Sequence, residues 1–170
     1  MLKKPTMRNL GVGLAIAALV FVADQATKFV VLHELSLGIG ERLPVTPFLD
    51  LVITHNRGIS YGLFPQDGEL GRWFLVALNL LASILFTFWM ARTDSWLVVA
   101  ALGFLIGGAL GNALDRATFG AVIDFVSLHA FGWRWYVFNL ADAAIVAGVF
   151  ALLYDTFLLK VTKTPPSGST

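Results

Sequence analysis

Apolar positions fall in four long runs, at about 10–32, 72–91, 96–114 and 138–159, separated by more polar stretches. A helix needs about 20 such residues to cross a hydrocarbon core, so each run predicts a membrane-spanning helix. Trp73 and Trp89 stand near the ends of the second run, where interfacial aromatic side chains belong. The connection 91–95 is short and polar. The stretch 34–68 has a different pattern, with Gly, Pro and β-branched residues and no helical period. Its segments LDLVITHN and ISYGLF read as short strands on either side of a turn signal, Asn56-Arg57-Gly58. They predict a small sheet over about 36–66, edged by Pro44, Pro47 and Pro65. Such a sheet does not stand alone, so it must lean on the helices or on lipid. A connection of about 35 residues is also long unless it is functional or disordered, and its aromatic and aliphatic content argues against disorder.

The fold class expected is therefore a mainly α membrane protein, a single domain over 1–170 with four spans, a small extracytoplasmic sheet and a loop between the third and fourth helices. The tail, about 163–170, is polar and expected to fray. The basic start (Lys3, Lys4, Arg8) before an apolar run also fits a cleaved signal peptide. Against that, the run continues into Asp24, Gln25, Thr27 and Lys28 without a cleavage site. Lys3, Lys4 and Arg8, then Arg92, then Lys160 and Lys163 fall on one side of a four-span chain. Arg42, Arg57, Arg72 and Arg134 fall on the other, but lysines beside the membrane ends favour both termini in the cytoplasm. The sheet and the passage around Asp124 then share the outer face.

Composition agrees with this picture. The chain has 170 residues, 57% hydrophobic and 14% charged, against roughly 25% charged in a soluble domain. A net charge of +1 gives no electrostatic case for nucleic acid. The absence of cysteine excludes disulfides and thiolate chemistry. His33, His55 and His129 lack metal-ligand spacing, so no metal is expected.

Charge at membrane depth is costly and points to function. Gly103, Gly107 and Gly111 step four apart on the third helix, a smooth stripe that lets another helix approach closely. That helix ends in Asn112, Asp115 and Arg116, and the fourth opens with Asn139 and Asp142. Asp24 and Lys28, four apart, share a face of the first helix. With Asn56 and Asp124, all of these converge on the outer face. Two carboxylates close together share a proton; one activates water while its protonated partner polarises a carbonyl, as in aspartic proteases. Asp115 is expected to pair with Arg116 or cap its helix, and Asp155 to pair with Lys160 or snorkel. Two other readings fit an outer-face polar site. A transporter or proton conductor would use Asp24, Asp124 and Asp142 as a relay, but these acids are not spaced across the bilayer. A lipid-binding or assembly protein would need only the aromatic sheet.

Five blocks, in order, are similar to those of the signal peptidase II (lipoprotein signal peptidase) family. Asp24-Gln25-Ala26-Thr27-Lys28 resembles its DQxxK block, and Asn56-Arg57-Gly58-Ile59-Ser60-Tyr61 its NxGxxF block, with Tyr61 at the usual phenylalanine position. The third helix, through Gly107, Gly108, Gly111, Asn112, Asp115 and Arg116, resembles GGALGNxxDR. Val122-Ile123-Asp124-Phe125 resembles VxDF, and Phe138-Asn139-Leu140-Ala141-Asp142 resembles FNxAD. The resemblance implies a bacterial inner-membrane endopeptidase without cofactor. It removes the signal peptide from a diacylglyceryl-modified prolipoprotein, cutting just before the lipidated cysteine. It implies Asp124 and Asp142 as catalytic residues. Asp24, Lys28, Asn56, Gly58, Asn112, Arg116 and Asn139 carry over as supporting or substrate-binding positions. Membrane lipids and the inhibitor globomycin are the other partners implied, and the enzyme is expected to act as a monomer. The segment Phe131-Gly132-Trp133 is expected to close over substrate, with Gly132 supplying flexibility.

Overall fold

The computed structural model describes residues 7–35, 37–58 and 68–159. The expected strand ISYGLF, the basic residues Lys3, Lys4, Lys160 and Lys163, and the tail lie outside the described residues. Four helices carry the apolar runs: α1 (Met7–His33), α2 (Glu69–Met90), α3 (Trp96–Phe119) and α4 (Leu140–Tyr154), the last continued by a π-helical turn, Asp155–Leu159. All four are long and apolar enough to cross a membrane once the π turn is counted with α4. The chain is a multi-pass membrane protein.

The helix α3 is the centre of the bundle. Most of it is buried, whereas α1, α2 and α4 each leave most of their surface to the surroundings. Its glycines make this possible. A methyl group at Gly103 would stand 2.8 Å from the Gly13 carbonyl oxygen, and one at Gly107 would stand 2.6 Å from that of Ala17, so this stripe is the seat of α1. Gly108 faces the other way, where a methyl would meet the Ala141 carbonyl oxygen of α4 at 2.5 Å. Close backbone approach is how helices associate where lipid removes the usual hydrophobic drive. Met90, Val99, Leu102 and Ile106 fill the core where α2, α3 and α1 meet.

Ser95 caps α3 at its start by accepting from the Val98 N–H, and also donates to Asp155 at 2.8 Å. Asp155 is thus buried against a hydroxyl. The polar residues beyond Leu114 do not end α3. The helix runs to Phe119 because they are satisfied in place, Thr118 by the Leu114 carbonyl and Asp115 by Lys28. Gly120, in the left-handed region at φ 76°, ends it. Arg72 of α2 reinforces this end, donating from Nε to the Arg116 carbonyl at 2.7 Å and from Nη2 to that of Ala117 at 2.6 Å.

The sheet has four antiparallel strands in the order β1 (Arg42–Thr46), β2 (Leu49–Asn56), β3 (Val122–Ala130) and β4 (Trp133–Arg134). The segment LDLVITHN is β2. The passage carrying Asp124, expected as a loop, is instead the strand β3, lying between β2 and β4. Val122 to Phe125 are all buried, so this strand lacks the polar–apolar alternation that marks a half-exposed one. The sheet leans on the end of α1 through Val31, Ile53 and Phe125, with Leu32, Leu35 and Leu51 around them.

The expected lid at 131–133 is the tip of a hairpin. Ala130 pairs with Trp133, and Phe131 and Gly132 take φ of 50° and 83°. Two left-handed residues between paired strands make a tight two-residue turn, so Gly132 serves turn geometry.

Candidate active site

Two elements present the carboxylates. Asp124 is in β3 and fully buried; Asp142 is in the first turn of α4 and partly exposed. The backbone forces them together. Phe138 pairs with Val126, its N–H donating to the Val126 carbonyl at 3.0 Å and its own carbonyl accepting from Val126 N–H at 2.8 Å. Asn139 therefore arrives beside Asp124. Asn139 is also the N-cap of α4: its Oδ1 accepts from the Asp142 N–H at 2.8 Å, while Asp142 Oδ2 accepts from the Asn139 N–H at 3.4 Å. This reciprocal cap fixes Asp142 relative to Asn139.

Side-chain amides complete the arrangement. Asn139 Nδ2 donates to Asp124 Oδ1 at 2.8 Å, and Asn56 Nδ2 donates to Asp124 Oδ2 at 3.1 Å. Asn112 donates to Asp142 Oδ1 at 2.9 Å and accepts from Asn139 at 3.1 Å. The two acids are thus linked through Asn139 and Asn112. Asn56 is itself oriented by accepting the Gly58 N–H at 3.1 Å. Arg116 Nη2 donates to the Gly58 carbonyl at 2.8 Å, fastening that turn to α3. In the β2–β3 pairing the register shifts between Leu51 and Thr54, a bulge beside Asp124. Bulges of this kind re-aim side chains next to sites.

Burial raises the Asp124 carboxyl, and the neighbouring Asp142 charge raises it further, to about 7. The Asn56 and Asn139 donors oppose this without cancelling it. Asp124 is therefore half protonated near neutrality.

Asp24 and Lys28 lie next to this site, in a second buried network. Lys28 Nζ sits 2.7 Å from Asp24 Oδ2 and 2.7 Å from Asp115 Oδ2. Asp115 thus pairs with Lys28, not with Arg116, because the α1 face carrying Lys28 packs against it. Gln25 donates to both carboxylates at 3.1 Å. Asp24 Oδ1 accepts the Ala141 N–H at 2.9 Å, and Asp115 Oδ2 accepts the Ile123 N–H at 3.1 Å. Sequence reasoning passed over Gln25 and gave Asp115 the wrong partner. The available signal was Lys28, a buried cation with room for two anions.

A cavity of about 220 Å³ opens on Asp142 and is walled by Asn56, Leu75, Leu78, Asn79, Asn112, Arg116, Val122, Ile145 and Val146. A second, apolar groove reaches Asp142 from the sheet side, along Leu128, Trp135, Tyr136 and Phe138. Among the described residues, no group of three or more His, Asp or Glu side chains is placed to hold a metal.

The architecture is that of a membrane enzyme. A solved bacterial membrane enzyme structure superposes with a TM-score of 0.80 at 27% identity, covering 100% of this chain and 99% of that one. A second matches with a TM-score of 0.73 over 97% of this chain and 99% of that one, also at 27% identity. The family model described as signal peptidase (SPase) II matches residues 16–158. A lipoprotein signal peptidase of Methylobacterium sp. (strain 4-46) is 55% identical over 150 residues, 88% of this chain and 91% of that protein. One from Nitrobacter hamburgensis is 50% identical, over 87% of this chain and 92% of that protein. The chain belongs to the signal peptidase II family and is an endopeptidase.

Proposed function

We propose that this chain removes the signal peptide from diacylglyceryl-modified prolipoproteins, cutting just before the lipidated cysteine, with Asp124 and Asp142 as its catalytic pair. The carrying observation is the amide linkage of two carboxylates, Asp124–Asn139–Asn112–Asp142, whose Asp142 end lines a cavity between membrane-spanning helices while Asp124 lies buried behind it. The pair holds one proton, on Asp124. Asp142, the more exposed partner, takes a proton from water as the oxygen attacks the scissile carbonyl. Asp124 polarises that carbonyl and gives its proton to the developing oxyanion. The tetrahedral diol then collapses. The C–N bond breaks, the proton on Asp142 passes to the leaving nitrogen, and Asp124 recovers its own from the diol hydroxyl. Each carboxylate ends as it began.

Both termini are cytoplasmic, and the site faces the outer side of a bacterial inner membrane. There the acyl chains of substrate stay in lipid while the scissile amide meets water. The chain acts as a monomer, and globomycin competes for the site. The test is cleavage of a diacylated prolipoprotein by purified protein in detergent. Wild type should cut before the modified cysteine. Asp124→Asn and Asp142→Asn should each lose at least about a thousandfold in rate, in the range seen when an acid–base group is removed. Retention of robust cleavage by either variant would overturn the pair.

A further inference from the structure

Asn79 lies near the middle of α2, roughly 15 Å along the axis from the helix start at 1.5 Å per residue. It is the polar member of an otherwise apolar wall formed with Leu75, Leu78, Ile145 and Val146. Its backbone carbonyl accepts from Ser83 Oγ at 2.8 Å, as an ordinary helical residue can. Its side-chain amide makes no hydrogen bond among the described residues. Arg116, which lines the same cavity, carries a further unpartnered donor, though an enclosed one. Arg116 Nε is buried with no partner among the described residues, although both terminal nitrogens of that guanidinium are used. Polar groups at membrane depth ordinarily face a bundle interior or a cavity and find partners there. The Asn79 amide, without a partner among the described residues and on the wall of the cavity that Asp142 lines, therefore points to an acceptor that arrives with a ligand.

The peptidase reading, on which this inference rests, supplies such an acceptor. A signal peptide is a membrane helix that must end where it is cut. The last turn of any helix has four carbonyls without intrahelical partners. In lipid no water satisfies them, so a site that ends a helix must provide donors. We propose that Asn79 is a substrate-binding residue. Its amide donates to a main-chain carbonyl in the last turn of the signal helix as that turn unwinds toward Asp124 and Asp142. The contact is to backbone, so it is indifferent to the varied side chains of signal peptides. It also exists before bond cleavage begins. Ground-state contacts of that kind act on KM and leave kcat nearly unchanged.

The experiment compares wild type with Asn79→Leu and Asn79→Gln on a diacylated prolipoprotein in detergent. Loss of one such hydrogen bond should raise KM about tenfold in Asn79→Leu, with kcat within about twofold and the pH profile unmoved. Asn79→Gln, which keeps the amide, should recover most of the loss. A KM for Asn79→Leu within about twofold of wild type would overturn the proposal. A second series uses wild-type enzyme and substrates in which one amide of the last four signal-peptide residues is replaced by an ester, a weaker acceptor. One position should raise KM at least about threefold, and that sensitivity should vanish in Asn79→Leu. Insensitivity at all four positions would overturn the proposal even if Asn79→Leu failed to fold, as would an ester effect of equal size in the variant. Failure of wild type to cut the parent substrate would instead overturn the peptidase reading itself.

Discussion

Lys28 of α1 and Asp115 of α3 pair at 2.7 Å beneath the candidate site, and the same ammonium holds Asp24 at the same distance. Each of those carboxylates accepts the N–H of the residue just before one of the two proposed catalytic aspartates. Asp24 takes Ala141, ahead of Asp142, and Asp115 takes Ile123, ahead of Asp124. One cation therefore sets the position of both acids through the backbone. Removing it leaves two buried carboxylates uncompensated. Lys28→Met should cost roughly 3–5 kcal/mol of stability, the usual penalty for orphaning a buried charge. It should also abolish cleavage while the neutral double change Asp24→Asn with Asp115→Asn on the same background regains stability. Thermal unfolding in detergent measures the first effect and peptide release the second.

In the proposed mechanism the proton on Asp124 sets the alkaline limb of activity. Its carboxyl is raised from 3.8 to about 7, first by burial and then by Asp142. Cleavage by the free enzyme, read as kcat/KM, should fall as pH rises through about 7. Stability should move in the same sense. The folded state holds this proton more tightly than the unfolded chain does. The group therefore costs nothing below pH 3.8, and its cost grows until pH passes about 7. Over that interval wild type should lose about 4 kcal/mol relative to Asp124→Asn, at about 1.4 kcal/mol per unit. A difference between the two proteins that did not change with pH would contradict the assignment.

Two glycines separate packing from function. A methyl at Gly107 meets the Ala17 carbonyl oxygen at 2.6 Å, whereas one at Gly111 meets Asp24 Oδ2 at 2.5 Å. Gly107→Ala and Gly111→Ala should each lose roughly 1–3 kcal/mol, as overpacked interiors do. Gly111→Ala also pushes the carboxylate that holds Ala141. Its specific activity, corrected for folded fraction, should therefore fall well below that of Gly107→Ala. Equal specific activities would deny the link from Asp24 to the site.

The hairpin tip depends on one acid. Asp50 accepts from Arg134 at 2.8 Å and meets His129 at 3.0 Å. The Arg134 hydrogen bond, helped by His129, holds its carboxyl below the usual range against the opposing effect of burial. Its contribution is present above the unfolded value of 3.8 and is lost as pH falls through the lower folded value. Asp50→Asn should therefore loosen β4 at neutral pH. Faster amide exchange at Trp135, whose N–H donates to the Leu128 carbonyl, would report it.

Hydropathy made the four helices legible because length and apolarity alone define a span. It did not say which helix is central. Helices that are apolar all round carry no face in their sequence, and the glycines of α3 were the one packing signal. The strand β3 was hidden for a related reason. Val122 to Phe125 are buried, so Asp124 lay in what read as a connection. The motif blocks gathered Asn56, Asn112, Asn139 and the two acids, but not the order in which their amides link. That order follows from Phe138 pairing with Val126, a contact set by the fold. Asn79 belongs to no block and carried no pattern of its own. Its interest comes from the cavity it faces.

The bond from Asp24 to Ala141 joins residues 117 positions apart, tying the first helix to the last. Asn139 and Asp142 stand at the start of α4, so the amide link between the two acids closes only once α4 has joined α3. Before that, Asp124 has the Asn56 amide but neither Asp142 nor the Asn139 amide. In the proposed mechanism, hydrolysis is thus withheld until α4 stands beside α3. The proposed pair is in this way inert during the assembly of its own bundle.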